Sequence, residues 1–151
     1  MDRRKPGSKH NLITDANGLP LAAVLCGANG YDSKVLPMLV EAIAPVRGRV
    51  GHPRRRPDMV QGDAGYRGRP NADWLRARGI RPLIPLHRGG GGSLHGSGLG
   101  VTRWVVERTI SWLHQFRRLR VRYERRADIH QAFLILGCAI ICWRHLEKSL
   151  C

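Results

Sequence analysis

The chain has 151 residues, with 26 Lys and Arg against 11 Asp and Glu and a formal net charge of +15. Its length suits one folded domain, and its charge favours a polyanionic partner, nucleic acid ahead of an anionic membrane. The N-terminus has no apolar segment typical of a signal peptide, and the longest apolar run, residues 132–143, is too short to cross a bilayer. We therefore expect a cytoplasmic, nucleic-acid-associated protein with no membrane partner.

A β-hairpin is predicted after a basic lead-in at residues 1–9. Residues 10–14 alternate loosely in polarity and form the first strand, and residues 19–26 form the return strand. The intervening Asp-Ala-Asn-Gly of residues 15–18 is typical of a tight turn, because Asn-Gly tolerates the positive φ that such a turn needs.

A helix and a basic loop follow the hairpin. Asp32 and Ser33 are residue types that often cap the N-terminus of a helix. They precede apolar residues at helical spacing, and Pro45 is expected to end that helix. Residues 47–57 are rich in Arg, Pro and Gly and are predicted to form a loop.

A strand, a helix and a second strand are predicted next. The first strand covers residues 58–62, and the helix begins at Asn71 and is stopped by Gly79. The second strand covers residues 80–84.

The C-terminal half is predicted to be helical. Residues 88–100 are Gly-rich and form a flexible linker or mobile loop. A helical pattern runs over residues 101–122, and Asp128 caps a last apolar helix. The complete order predicts an α/β fold, a mixed sheet with helices packed on its faces, ending in two long helices.

Two scarce carboxylates are candidates for chemistry. Asp63 follows a predicted strand at the sheet edge where α/β proteins bind ligands; the alternative is an Asp that caps a turn or the next helix. Glu107 lies in the first turns of a predicted helix, and the alternative is a solvated side chain paired with Arg103 or Arg108. Carboxylates of this kind can hold divalent metal ions over a phosphodiester, a site that needs about three of them.

An arginine-rich segment is the candidate surface for phosphates. Arg117, Arg118, Arg120 and Arg122 lie close together, and the planar guanidinium group binds phosphate oxygens bidentately. The alternatives are a solvated helix face or salt bridges to Glu124 and Asp128. A GC-rich genome would also favour Arg, but it would not explain the sign of the net charge.

The cysteines do not form a metal-binding pattern. Cys138 and Cys142 lie four apart on an apolar helix with His145 after them, but no fourth ligand is evident. We interpret both as small buried residues in a reducing compartment.

Several segments in one order resemble insertion-sequence transposases of the group typified by insertion sequences four and five. The segments that carry the resemblance are residues 6–10, 15–20, 62–66, 103–109, 116–119, 122–126 and 127–143. The resemblance implies an RNase H-like DDE domain, with Asp63 as the second catalytic, metal-binding acid and Glu107 as the third. The implied cofactor is Mg²⁺ or Mn²⁺, bound only if a third carboxylate is supplied.

The same resemblance extends to DNA contacts. Arg103 matches the Arg of the family's Tyr/Arg/Glu/Lys pattern, whereas Gly100 stands at the Tyr position and His114 at the Lys position. The side chains expected at transposon ends or backbone phosphates are Arg103, Arg108, His114, Arg117, Arg118, Arg120 and Arg122.

The first catalytic Asp of the family has no match here. It lies on a first strand upstream of the Pro-Gly-Ser-Lys run, and neither Asp2 nor Asp15 corresponds to it. Residues 1–151 are therefore expected to be a partial DDE domain, an RNase H-like mixed sheet lacking its first strand. We expect unpaired strand edges, marginal stability or association with another copy or an upstream-frame product, and no strand transfer by this chain alone. The alternatives are a non-catalytic DNA-binding remnant and an RNA-binding basic protein, and the apolar C-terminal helices disfavour the latter.

Overall fold

A computed structural model describes residues 7–48, 50–84 and 99–150, apart from the side chains of Asp32 and of residues 99–103. The predicted basic lead-in therefore lies mostly outside the described residues, as do residues 88–98 of the predicted Gly-rich loop. The strands are β1 (Ser8–Thr14), β2 (Pro20–Gly27), β3 (Met59–Gln61) and β4 (Arg81–Leu83). The helices are α1 (Asp32–Glu41), α2 (Arg69–Arg76), α3 (Leu99–His114), α4 (Arg117–Arg120) and α5 (Ala127–Leu150), with a short 3₁₀ turn at Ala64–Tyr66.

The chain divides into two compact units. The first contains the residues up to Gly30 and those from Val105 onward, and the second contains Tyr31–Trp104. The first unit therefore holds β1, β2, most of α3, α4 and α5. The second holds α1, β3, α2 and β4.

The predicted hairpin is confirmed. β1 and β2 pair antiparallel, with Asn11 opposite Val24. The Oδ1 atom of Asp15 accepts hydrogen bonds from the backbone N–H groups of Asn17 and Leu19 at 2.9 and 2.8 Å. Gly18 has a φ of 86°, which closes the turn at a conformation that glycine adopts readily.

Helix α5 supplies the core of the first unit. Its buried residues Leu134, Cys138 and Ile141 pack in one cluster with residues of the hairpin and of the preceding helices. The Gln131 amide also pairs with the backbone of β2, accepting from Leu25 N at 2.7 Å and donating to Ala23 O at 2.8 Å. One side chain thus satisfies backbone groups that a further strand would otherwise bind.

The length of α5 corrects the prediction that the apolar segment of residues 132–143 is too short to cross a bilayer. The helix has 24 residues and a mean hydropathy of 1.4 over its most apolar window, so by length and composition it could cross a membrane. It extends beyond residues 132–143 because its apolar spacing continues to Leu150. One such helix is weak support for a membrane span, since core helices of folded proteins share these properties.

The predicted helical stretch over residues 101–122 is broken in two. Phe116 has extended dihedral angles, φ −76° and ψ 115°, and separates α3 from α4. Phe116 packs against the core of the first unit and Leu119 is buried within it. The break therefore serves tertiary packing that a local apolar pattern does not encode.

Helix boundaries also differ at two predicted caps. Tyr31, not Asp32 or Ser33, occupies the N-cap of α1, and the helix ends at Glu41 before reaching Pro45. Asp128 lies within the first turn of α5 instead of capping it, and its carboxylate binds the guanidinium of Arg126.

The second unit is built on a parallel strand pair. β3 and β4 pair with Val60 opposite Pro82, and α2 forms the connection between them. Residues of α1, α2 and both strand regions form the buried apolar interior: Val35, Leu36, Leu39, Val40, Val60, Ala72, Leu75, Ile80 and Ile84. Within the described residues the hairpin and this pair are two separate two-stranded sheets. The fold is thus mixed α/β, with small sheets and several helices.

Gly137 allows α4 and the end of α3 to approach α5 closely. A Cβ at this position would lie 2.8 Å from Leu119 Cδ1 and 3.1 Å from Leu113 Cδ2, and both leucines are buried. Alanine gains about 1 kcal/mol in helix propensity, but crowding a packed core costs about 1–3 kcal/mol. We expect Gly137→Ala to lower the free energy of unfolding by about 1 kcal/mol, measured by urea denaturation with circular dichroism.

The matched control is Gly48→Ala. Gly48 is exposed, and no atom lies within 4 Å of where its Cβ would be, so its replacement should change stability by less than about 0.5 kcal/mol. A Gly137→Ala chain as stable as the control would contradict the proposed crowding.

Candidate functional site

Asp63 lies two residues after the end of β3, just past the strand as predicted, and it is exposed. It is the N-cap of the 3₁₀ turn, where its Oδ1 accepts the Gly65 N–H at 2.8 Å. The preceding Gly62 is required sterically, because a Cβ there would lie 2.9 Å from Ile84 Cγ2. One carboxylate oxygen of Asp63 therefore caps a turn, as the alternative interpretation predicted. The capped turn holds the carboxylate at the carboxyl end of a parallel strand.

Glu107 is exposed on α3, and the two residues after it fix that helix to the hairpin. Thr109 is fully buried, and its hydroxyl donates to Gly18 O at 2.7 Å and also lies 3.1 Å from Val105 O. Arg108 donates to Asn17 O at 2.6 Å. These bonds orient the helix so that Glu107 faces solvent.

The two candidate acids belong to different compact units. Asp63 is in the second unit and Glu107 is in the first. Their convergence on one metal site stays a prediction, as does the role of Arg103, whose side chain lies outside the described residues. No group of three or more His, Cys, Asp or Glu that could hold a metal ion occurs among the described residues.

The predicted DNA-binding arginines differ in their surroundings. Arg118 forms an ion pair with Glu124 and lies 5.1 Å from the Phe133 ring centroid, so the salt-bridge alternative describes it correctly. Arg117 donates to Tyr123 Oη at 3.2 Å. Arg108 is half-buried and, besides its bond to the turn, stacks over Trp112 at 4.8 Å.

In the part of the chain that the structure describes, no carboxylate forms an ion pair with Arg120 or Arg122. The Arg122 guanidinium donates to the backbone oxygens of Glu124 and Arg125 at 2.7 and 3.0 Å, and to the Ser8 hydroxyl. Arg120 is exposed, and among the described residues no acid forms an ion pair with it. These two side chains are the best-placed members of the set to bind phosphate.

A buried polar network was not predicted from the sequence. His130 is 1% exposed, and its Nδ1 lies 3.2 Å from Glu124 Oε2 while its Nε2 lies 3.0 Å from His10 Nε2. One proton must be shared between the two facing Nε2 atoms. The network joins β1 to the start of α5. The available signal was a histidine four residues before Leu134 on the apolar face of the last helix.

The network sets the charge of its members. Burial, with repulsion from His130 and His114, lowers the pKa of His10 to about 4, so this imidazole is neutral at pH 7. Desolvation raises the pKa of Glu124, but a backbone hydrogen bond and the His130 and Arg118 side chains outweigh it. The pKa of Glu124 therefore lies below its usual range, and its carboxylate is ionised.

A cavity of about 470 Å³, here called the histidine cavity, lies beside this network in the first unit. Its basic lining residues are Lys9, His10, His114, Arg120, Arg122 and His130. Three of these, Lys9, His10 and His130, were not among the predicted site residues.

The cysteine prediction is confirmed for Cys138. It is buried, and burial, together with the nearby Cys142, raises its pKa to about 11. Burial also raises the pKa of Cys142, which is half-buried. Both thiols are protonated at neutral pH and are poor metal ligands or nucleophiles in that form.

Comparison with known proteins identifies the family. Two family models described as transposase DDE domain match the chain, one over residues 2–93 and the other over residues 60–144. The chain belongs to the DDE transposases. This DDE transposase chain is also 57% identical over 148 residues to a Burkholderia cepacia protein named as a candidate transposase for insertion sequence element IS402. The match covers 98% of this chain and 68% of that relative. No solved structure matches this chain significantly.

Family membership confirms the resemblance read from the motifs. The segments containing Asp63 and Glu107 both lie within the matched ranges. The transposase family acts on DNA, which agrees with the net charge of +15.

The hydrogen bond from the Thr109 hydroxyl is predicted to anchor α3 to the hairpin turn. Thr109→Val preserves the shape of the side chain but leaves the Gly18 carbonyl without this donor. An unsatisfied buried polar group costs about 1–3 kcal/mol, so the free energy of unfolding should fall by that amount in urea denaturation. Ser111→Ala, an exposed change on the same helix, is the control and should be nearly neutral. Equal stability of the two variants would show that the hydrogen bond does not anchor the helix.

The pKa of His10 predicts an acid-side loss of stability. Because its folded pKa of about 4 lies below the unfolded value of 6.5, the unfolded chain binds more protons between these pH values. Stability is complete above pH 6.5 and falls as the pH drops towards 4. We expect the urea midpoint to decrease over this window, and to decrease less in His10→Gln.

The control for this pH series is His145→Gln, which replaces an exposed histidine of α5. Its pH dependence should match that of the unmodified chain. Parallel curves for all three proteins would contradict the assignment to His10.

Proposed function

We propose that Asp63 and Glu107 are the second and third metal-binding acids of a transposase that cleaves and transfers DNA strands at insertion-sequence ends. The observation that carries this proposal is the exposed Asp63 carboxylate at the carboxyl end of β3, in a chain of the DDE family. Glu107 is likewise exposed, and buried bonds of the following residues hold its helix.

Both side chains suit a hard divalent cation such as Mg²⁺ or Mn²⁺, which prefers carboxylate oxygens. The chemistry that such ions supply when bound is activation of the attacking oxygen and stabilisation of the leaving oxygen. The role of the chain's own residues is to present two oxygen ligands on rigid elements, Asp63 on its capped turn and Glu107 on the anchored α3.

None of these 151 residues supplies the first acid in this proposal. Asp15 is the only described acid of the hairpin region, and its Oδ1 is occupied by two turn N–H groups. We infer an RNase H-like arrangement in which the family's first strand carries the missing Asp. β1 and β3 each have one hydrogen-bonded partner among the described residues, so each has an edge at which a further strand can pair. The chain alone is then catalytically incomplete.

DNA is the proposed partner, in particular the phosphate backbone near transposon ends. Exposed guanidinium groups such as Arg120 provide a sequence-independent attraction to phosphates. Association with a second copy or with a separate chain that brings the first acid would complete the site, in a cytoplasmic setting where the chromosome is accessible.

The test adds the part of a relative that the match leaves out. The segment of the Burkholderia cepacia relative outside the match is joined to this chain, and cleavage of DNA carrying the element's ends is measured with MgCl₂. We expect metal-dependent cleavage by the fusion and none by the chain alone. Asp63→Asn and Glu107→Gln should each reduce cleavage by at least about 100-fold, because even indirect disturbance of metal ligands costs 10–100-fold.

Controls for charge and folding come from exposed acids elsewhere. Asp73 pairs with Arg76 on α2, and Glu147 accepts from Trp143 Nε1 on α5; Asp73→Asn and Glu147→Gln should retain cleavage. If the fusion binds DNA but never cleaves it, the non-catalytic DNA-binding alternative replaces the proposal. If Asp63→Asn cleaves normally, the assignment of that acid is wrong.

A further inference from the structure

The histidine cavity is a concave site with an unusual charge distribution. Six of its nine lining residues are Lys, Arg or His, and none is acidic. The positive charges that do not depend on pH near neutrality come from Lys9, Arg120 and Arg122. Concentrated charge of one sign in a concavity attracts a counter-ion strongly, because the low-dielectric walls focus the field.

Among the described residues no acid forms an ion pair with Arg120 or Arg122. Arg122 is held by hydrogen bonds to neutral oxygens of the 124–125 backbone and Ser8, so its guanidinium retains its full charge. Glu124 forms an ion pair with Arg118 and contacts Nδ1 of the cavity-lining His130, whereas Nε2 of His130 faces His10. The acid therefore positions a histidine and does not occupy the cavity.

The three histidines that line the cavity contact one another. His10 and His114 have ring centroids 6.1 Å apart, and His10 stacks on His130 at 5.2 Å. His130 is locked by bonds at both ring nitrogens, which fixes the wall of the cavity. His114 lines the cavity and is exposed, so its imidazole can donate to an incoming oxygen.

A tetrahedral oxyanion suits these groups. Guanidinium groups bind phosphate oxygens through parallel N–H donors, and imidazole adds single donors. A metal cation does not suit the cavity, because no carboxylate lines it and its fixed charges repel cations. We propose that the histidine cavity binds a phosphate group, with Arg120 and Arg122 as its principal ligands and the exposed His114 as an additional hydrogen-bond donor.

In this chain the phosphate belongs to a strand of DNA, a step that rests on the proposed function. The site is distinct from the two proposed metal-binding acids, since neither of them lines it. The arginines of residues 117–122 also differ in their contacts. Arg120 and Arg122 line the cavity, whereas Arg117 contacts Tyr123 and Arg118 contacts Glu124.

The first experiment titrates inorganic phosphate into the full chain and follows the histidine side-chain signals by NMR. Sodium chloride at equal ionic strength is the reference. Saturable shifts of the His10, His114 and His130 signals, absent in Arg120→Gln, are expected. Absence of phosphate-specific shifts in the unmodified chain would overturn the site.

The second experiment measures binding of a fluorescent DNA duplex at several salt concentrations by anisotropy. Arg120→Gln should weaken binding at least about threefold at low salt and reduce the slope of log affinity against log salt by about 1. The matched control is Arg144→Gln, an exposed arginine of α5 that does not line the cavity, and it should have a smaller effect.

The two experiments distinguish the sources of phosphate. Phosphate-specific shifts with DNA binding that is equally sensitive at Arg120 and Arg144 would assign the cavity to free phosphate and overturn the DNA contact. If the unmodified chain does not bind DNA at all, the proposed DNA function fails, and the NMR titration still decides the cavity. Circular dichroism of Arg120→Gln confirms that this exposed change leaves the fold intact.

Discussion

The buried hydrogen bond from Thr109 to the Gly18 carbonyl fixes α3 on the hairpin turn, and the placement of Glu107 depends on it. The contact is possible because Gly18 has positive φ and no side chain; a Cβ would lie 2.9 Å from Thr109 Oγ1. The tight turn and a helix residue 91 positions later in the chain therefore both require glycine at position 18. Arg108 adds a second bond to the same turn, so the sequence Glu-Arg-Thr combines one exposed acid with two anchoring residues.

The arginines that the structure describes differ in their binding partners. Arg108 and Arg118 bind groups of the protein itself, a turn carbonyl and the Glu124 carboxylate. Arg120 and Arg122 have no acidic partner among the described residues and line a basic cavity. Net charge alone would count all of them as binding DNA equally, but a cation already bonded to a carboxylate gives less attraction to a phosphate. The proposed affinity for phosphate is therefore assigned to Arg120 and Arg122 of the first unit and not to all of the arginines.

The sequence predicted local structure well where the causes are local. The Asp15 to Gly18 turn, the helix stop at Gly79 and the strand preceding Asp63 follow from backbone preferences of nearby residues. Prediction failed where distant contacts decide the outcome. Phe116 breaks the expected long helix because it and Leu119 both pack against the core. The cap of α1 differed for a similar reason, since short-range residue preferences compete with packing.

The sequence by itself determined the family and the candidate acids. The motifs around Asp63 and Glu107 occur in the same order as in the family, so the resemblance can be recognised without coordinates. Only the tertiary structure decided that His10, Glu124 and His130 form one buried network. These residues are separated by up to 120 positions, and no periodicity or spacing relates them. Burial of polar side chains depends on which elements pack together, and that is a property of the whole folded unit rather than of any segment.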